Sequence, residues 1–115
     1  MRYMLLLYAN EQGGLSLPPE EMAMWMEKMG AYAGALAKAG VHVAHGALGI
    51  TADAKTVHLE SGQLQVHNGP YAETREQLGG YYLIDVRNMT EAQKWAAKCP
   101  AAIWGHVEIR QVSDE

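Results

Sequence analysis

The groups in this chain that could move protons are its five histidines, its tyrosines and the carboxylates interleaved with arginine over residues 67–76, His-Asn-Gly-Pro-Tyr-Ala-Glu-Thr-Arg-Glu. An imidazole ordinarily changes charge near neutral pH, which makes His45 and His67 the candidate general bases. Glu73 and Glu76 could take that role if burial raised their pKa values. Tyr71 could donate a hydrogen bond to a developing enolate, and Arg75 or Arg110 could hold a substrate carboxylate. The candidate catalytic residues are therefore His45, His67, Tyr71 and Glu73, and the candidate substrate-binding residues are Asn68, Arg75, Glu76 and Arg110. The chemistry open to such a set is proton transfer or elimination.

Each position also has a purely structural reading. Asn68-Gly69-Pro70 is good turn chemistry, and Glu73, Arg75 and Glu76 would make a solvated edge ribbon that resists unwanted strand pairing. Tyr81 and Tyr82 read as core or interface residues with their hydroxyls at the rim. Cys99 has only Lys98 beside it to lower its pKa, so it is expected to pack rather than attack. His42 and His45 stand three apart in an expected strand, which points them to opposite faces and prevents them from chelating one metal. Met22, Met24, Met26 and Met29 have no Cys or His among them and read as adaptable core filler. No phosphate-cradling loop is present, because Gly13-Gly14 and Gly79-Gly80 lack the required spacing and following helix. No zinc pattern or Ser-His-Asp order appears either. Neither a metal nor a cofactor is expected.

The elements that must position these groups are legible in turn. Residues 2–8 form a strand with both faces apolar, which requires cover on both sides. Asn10 to Gly14 reads as a polar, glycine-bearing loop. Pro18-Pro19-Glu20-Glu21 opens a helix that ends near Ala39, with Gly40 as its left-handed cap. Met22, Trp25, Met29, Tyr32 and Leu36 give that helix its core face. Val41 to Gly46 is a second strand.

Residues 55–67 form a hairpin about Ser61-Gly62, with Leu59 opposite Leu64 and Val57 opposite Val66 on one apolar face. Its polar face makes His58 and His67 diagonal neighbours at roughly 7–8 Å. A metal there would need a third ligand from elsewhere, so both read as solvated histidines. Gly80 to Val86 is a strand with Tyr82, Ile84 and Val86 on one face and Tyr81, Leu83 and Asp85 on the other. Asn88 and Glu91 form a capping box for a second helix that runs to about Lys98 and packs Ala92, Trp95 and Ala96. Residues 106–112 close the chain as a strand with Val107 and Ile109 inward.

Strand, helix, strand, hairpin, strand, helix, strand is the order of a ferredoxin-like α+β sandwich with an inserted hairpin. Two helices cover one face of such a sheet, and a second copy of the chain is the simplest cover for the other, so a homodimer is predicted. At 115 residues the chain makes one domain, expected over residues 1–115. Apolar residues at 49% and charged residues at 19% describe a globular protein. A net charge of −4 with scattered basic residues argues against a nucleic-acid partner. No apolar run reaches the ~20 residues of a membrane span. The first eight residues are too short for a signal peptide, and the single cysteine fits a reducing compartment, so the cytoplasm is the expected location.

Four segments carry a family resemblance: Tyr3-Met4-Leu5-Leu6, Asn68-Gly69-Pro70-Tyr71-Ala72-Glu73-Thr74, Gly79-Gly80-Tyr81-Tyr82 and Gly105-His106-Val107-Glu108-Ile109-Arg110. Together they resemble the YCII-related family, in the branch named after an Asp-Gly-Pro-Phe (DGPF) motif, over roughly residues 2–112. The resemblance implies a dimeric α+β barrel, two ferredoxin-like units packed sheet to sheet, with a cleft between sheet and partner near the signature turn. Relatives in the wider family include a dehydrochlorinase acting on a chlorinated aromatic, and similar folds include muconolactone isomerases and heme-degrading or quinone-forming monooxygenases, so the resemblance implies a small cyclic or aromatic metabolite as substrate. Here the motif's Asp is Asn68, which keeps the turn but cannot act as a base, and its Phe is Tyr71. A His–Asp pair proposed for more distant relatives has no counterpart, since residues 20–29 hold no histidine and Cys99 precedes Pro100. Two functions stay open: an enzyme acting on such a ligand, or a non-catalytic sensing or partner-docking module. Companionship with extracytoplasmic-function sigma factors, which the resemblance also implies, fits the second.

Overall fold

A computed structural model describes residues 1–113, and residues 114 and 115 of the expected domain lie outside the described residues. The chain runs β1 (Arg2–Ala9), α1 (Glu11–Leu15), α2 (Pro19–Lys38), β2 (His42–Ala47), a 3₁₀ turn at Thr51–Asp53, β3 (Lys55–Glu60), β4 (Gln63–Asn68), β5 (Gln77–Asp85), α3 (Met89–Lys98), α4 (Ala101–Trp104) and β6 (His106–Val112). The main sheet has the order β2-β5-β1-β6, with every neighbouring pair antiparallel. With α2 and α3 packed on one face, this is the ferredoxin-like α+β sandwich predicted from the element order.

The period of two in the strands decides which side chains make the core. Tyr3, Leu5 and Leu7 of β1 and Tyr82 and Ile84 of β5 are buried beneath Tyr32 and Leu36 of α2 and Ala92 and Ala96 of α3. Leu5, Ile84 and Leu36 are completely buried, and each contributes about 1.5–3 kcal/mol through removal of apolar surface from water. The Tyr32 hydroxyl meets its need for a partner by donating to the Trp95 carbonyl at 2.7 Å. Met4, Leu6, Tyr81 and Leu83 lie on the opposite face of the sheet and stay half-buried.

Helix ends follow their expected chemistry with one exception. Gly40 adopts φ +74 past the end of α2, and the Val41 N–H returns to the Leu36 carbonyl at 3.1 Å. Asn88 caps α3 by accepting from the Glu91 N–H at 3.0 Å. The other half of the capping box differs, because the Glu91 carboxylate turns to Arg87 and Lys94, each at 3.4 Å. The expected loop at Asn10 to Gly14 is instead α1. The Asn10 side chain accepts from the Gly13 N–H at 2.7 Å, which is an N-cap, and the Glu11 N–H donates to the Gln77 side chain at 2.9 Å. Cap and tertiary bonds together hold a turn whose two glycines are poor helix formers. A short α4 follows α3 between Pro100 and Gly105, in a stretch that the sequence assigns to no element, and β5 runs from Gln77 to Asp85 rather than from Gly80 to Val86.

The hairpin has the predicted register, with Val57 opposite Val66 and Leu59 opposite Leu64. Ser61 and Gly62 take φ of 50 and 78, the positive pair that matches the twist of a two-residue turn. Its apolar face, however, is 57–66% exposed and is left uncovered among the described residues. The radius of gyration is 16.0 Å, above the ~13 Å of a compact domain near this length, because the hairpin stands off the sandwich. Among the described residues, no helix is long and apolar enough to cross a membrane.

Candidate functional site

The signature segment folds around a cleft of about 470 Å³, but not with the residues expected to do chemistry facing inward. Pro70, Ala72 and Thr74 line it together with Tyr8, Ile50, Thr51 and Gln77. Tyr71, Glu73 and Arg75 are exposed, Tyr71 at 92%. The segment is fastened by structural bonds. The Asn68 side-chain carbonyl accepts from Lys55 at 2.6 Å, Thr56 donates to the Gly69 carbonyl at 2.8 Å, and Gln77 donates to the Thr74 carbonyl at 2.7 Å. Glu11 ties the far wall by accepting from the Thr51 hydroxyl at 2.8 Å. Glu76 accepts from His106 Nδ1 at 2.7 Å. His67 is exposed on the hairpin opposite Thr56, and Arg110 is exposed on the sheet face away from the helices, opposite Met4. The expected site residues are thus dispersed, and His45 lies apart from all of them.

His45 enters a second cleft, of about 570 Å³, between the sheet and α2. Met26, Met29, Gly30 and Ala33 of α2 form its roof at the helical spacing i, i+3, i+4, i+7. Leu7, Gly80 and Tyr82 form its floor, and Trp104 of α4 closes one end. The opening exists because residues 30, 33 and 80 are small where the surrounding core positions are large. An adjoining apolar groove of about 380 Å³ continues past Met26, Met29 and Trp104 toward Met22, Trp25 and α1. Trp25 and Trp104 meet edge to face there at 4.5 Å.

The position of His45 depends on a β-bulge in β2 at Val43. His42 pairs with Ile84 and His45 pairs with Tyr82, with one residue too many on β2 between His42 and Ala44. Ile84 and Tyr82 share the helix-facing side of β5, so the extra residue, Val43, brings both histidines to that side. The expectation that they point to opposite faces is therefore corrected. His42 Nε2 and His45 Nδ1 are 2.8 Å apart and hydrogen-bonded. The His45 ring stacks on Tyr82 at 5.5 Å and 29°, and Tyr82 in turn meets Tyr32 edge to face at 5.1 Å.

Burial defines what the neighbours can do. It pushes the Tyr82 hydroxyl up to about 12, with Cys99 adding a smaller upward influence, so Tyr82 keeps its proton at neutral pH. Burial also pushes the Cys99 thiol up, against the opposing backbone hydrogen bonds of Ala101 and Ala102. Cys99 is thus a packed thiol, 1% exposed. Among the described residues, no cluster of three or more His, Cys, Asp or Glu side chains could hold a metal.

A curated relative, an uncharacterised protein of Rhizobium meliloti (strain 1021), is 34% identical over 96 residues, spanning 84% of this chain and 77% of its own. The family model of the YCII-related domain matches residues 1–115. Over its whole length, this chain belongs to the YCII-related family.

Proposed function

We propose that the protein binds a small, largely apolar cyclic or aromatic metabolite in the helix-side cleft and transfers a proton on it. In this reading His45 is the general base and His42 its orienting partner. The observation that carries this reading is the 2.8 Å His42–His45 bond at the edge of an otherwise apolar cleft. A base held by a second polar group beside a cleft of 300–1,000 Å³ is the arrangement that proton-transfer sites use. With the shared proton on His45 Nδ1 and donated to His42, the His45 Nε2 lone pair is free to accept a substrate proton. The imidazolium so formed keeps its bond to His42, now charge-assisted and stronger. Tyr82, held protonated, serves as the stacking wall and not as a rival base.

The same proposal includes a homodimer. An isolated two-stranded hairpin is marginal in water, and Val57, Leu59, Leu64 and Val66 offer an apolar face left exposed among the described residues. A second copy can bury this face together with the half-buried Met4, Leu6, Tyr81 and Leu83. The Asn68-Gly69-Pro70-Tyr71 turn supports placement in the DGPF branch, and the lone thiol of Cys99 fits a cytoplasmic location. Charging the hairpin in a Val57→Lys/Leu64→Lys double variant is expected to halve the mass seen by sedimentation. A wild-type protein that sediments as a monomer would remove the dimer from the proposal.

The ligand is tested by following thermal unfolding against a panel of aromatic and ring-cleavage metabolites. One chemical class should give a saturable rise, worth about 2.7 kcal/mol at a hundredfold excess over its Kd. A flat response to every ring compound, with the fold intact, would leave the sensing and docking reading in its place.

A further inference from the structure

The His42–His45 pair also has the makings of a chelate. We propose that His42 Nε2 and His45 Nδ1 together bind one divalent transition-metal ion of the copper(II) class, with water completing the coordination. Imidazole nitrogens suit borderline first-row ions, and copper(II) heads the affinity order for such ligands. Two nitrogens held about 2.0–2.1 Å from one ion, at adjacent coordination positions, stand about 2.9–3.4 Å apart. The observed separation is 2.8 Å, already close to that span. The hydrogen bond aims the two nitrogens at each other, so each ring must turn by roughly 35–45° for both lone pairs to converge on one ion. The rings are inclined at 64° with centroids 5.0 Å apart, so their edges meet and their faces do not stack. β2 is an edge strand and His45 is exposed, which gives an ion and its waters access from solvent.

The ring that carries the shared proton moves it to its other nitrogen, and both lone pairs then face the ion. No net proton is lost. Because no third His, Cys, Asp or Glu joins the pair among the described residues, the site is open and exchangeable rather than a structural closed shell. Coordination through Nδ1 places the His45 proton on Nε2, the atom proposed above as the base, so a bound ion would switch that base off. The chelate itself requires only the pair and forms whether or not His45 turns over a substrate.

Copper(II) is titrated into the full-length protein without substrate, reading tryptophan fluorescence and the electron paramagnetic resonance spectrum. Trp104 lines the same cleft and should be quenched. One equivalent per chain with two nitrogen ligands is expected, and H42Q and H45Q should each weaken binding at least tenfold while H67Q leaves it unchanged. Circular dichroism of each variant confirms the fold. Affinity unchanged in H42Q and H45Q would assign the ion to the amino terminus or another histidine and overturn the proposal. Loss in one of the two variants alone would overturn it as well, since the site would then be a single ligand.

Discussion

Gly105→Ala is expected to destabilise the protein by about 3 kcal/mol or more, the largest loss of stability among its glycines. A Cβ at residue 105 would stand 1.9 Å from the Tyr8 carbonyl oxygen and 3.0 Å from its carbon. Gly105 joins α4 to β6, and the next residue, His106, pairs with Tyr8 across the ladder. Its φ of −154 is open to any residue, so the constraint is the close approach of two backbones and not glycine's conformational freedom. No rotamer can relieve a clash with a carbonyl, so the β1–β6 pairing must shift, an overpacking cost at the upper end of its range. Urea unfolding of Gly105→Ala beside Gly34→Ala checks this. Residue 34 lies inside α2 with open space around it, so its alanine should raise stability by up to about 1 kcal/mol. Equal midpoints for the two variants would contradict the packing described.

The second large effect concerns chemistry. On a ligand that the panel identifies, His45→Gln should lower turnover by about 10²–10⁴-fold, the contribution of a positioned general base. Glutamine keeps a polar group of similar reach, so binding should change far less than rate. His42→Gln should give a smaller fall, because it removes only the partner of Nδ1. Tyr71→Ala and Glu73→Ala should leave the rate unchanged, since both side chains are exposed outside the helix-side cleft. The rates of these variants decide between His45 and the signature segment. A rate that survives His45→Gln and collapses with Glu73→Ala would move the site to the signature loop.

The architecture was legible because its signals are local and repeated. Alternation in β5 separates Tyr82 and Ile84 from Tyr81 and Leu83, and Ser61-Gly62 sets the hairpin register by turn geometry alone. The candidate site was much less legible. Residue types singled out 67–76, but what faces a cleft there is Pro70, Ala72 and Thr74. No pattern in the chain marks a bulge at Val43, since it depends on how β2 settles against β5. A slip of one residue reverses every side chain beyond it, so two histidines assigned to opposite faces became a bonded pair. The helix-side cleft was also hidden, because it is made by residues that are absent in bulk, at Gly30, Ala33 and Gly80. Periodicity reports large apolar side chains and is silent about the space left by small ones.

Filling that space is the most direct test that the helix-side cleft is the functional site. A Cβ at Gly30 meets nothing within 4 Å, so α2 accepts a leucine there, and losing a helix-interior glycine favours the fold by up to about 1 kcal/mol. The new side chain would occupy the roof of the cleft between Met26 and Ala33. Thermal unfolding of Gly30→Leu, with and without the ring compound that stabilises the wild type, gives both quantities in one experiment. The structure predicts an unfolding midpoint at or above that of the wild type and no further rise on adding ligand. A ligand-induced rise as large as the wild type's, in a folded Gly30→Leu protein, would show that the metabolite binds elsewhere and contradict the proposed site.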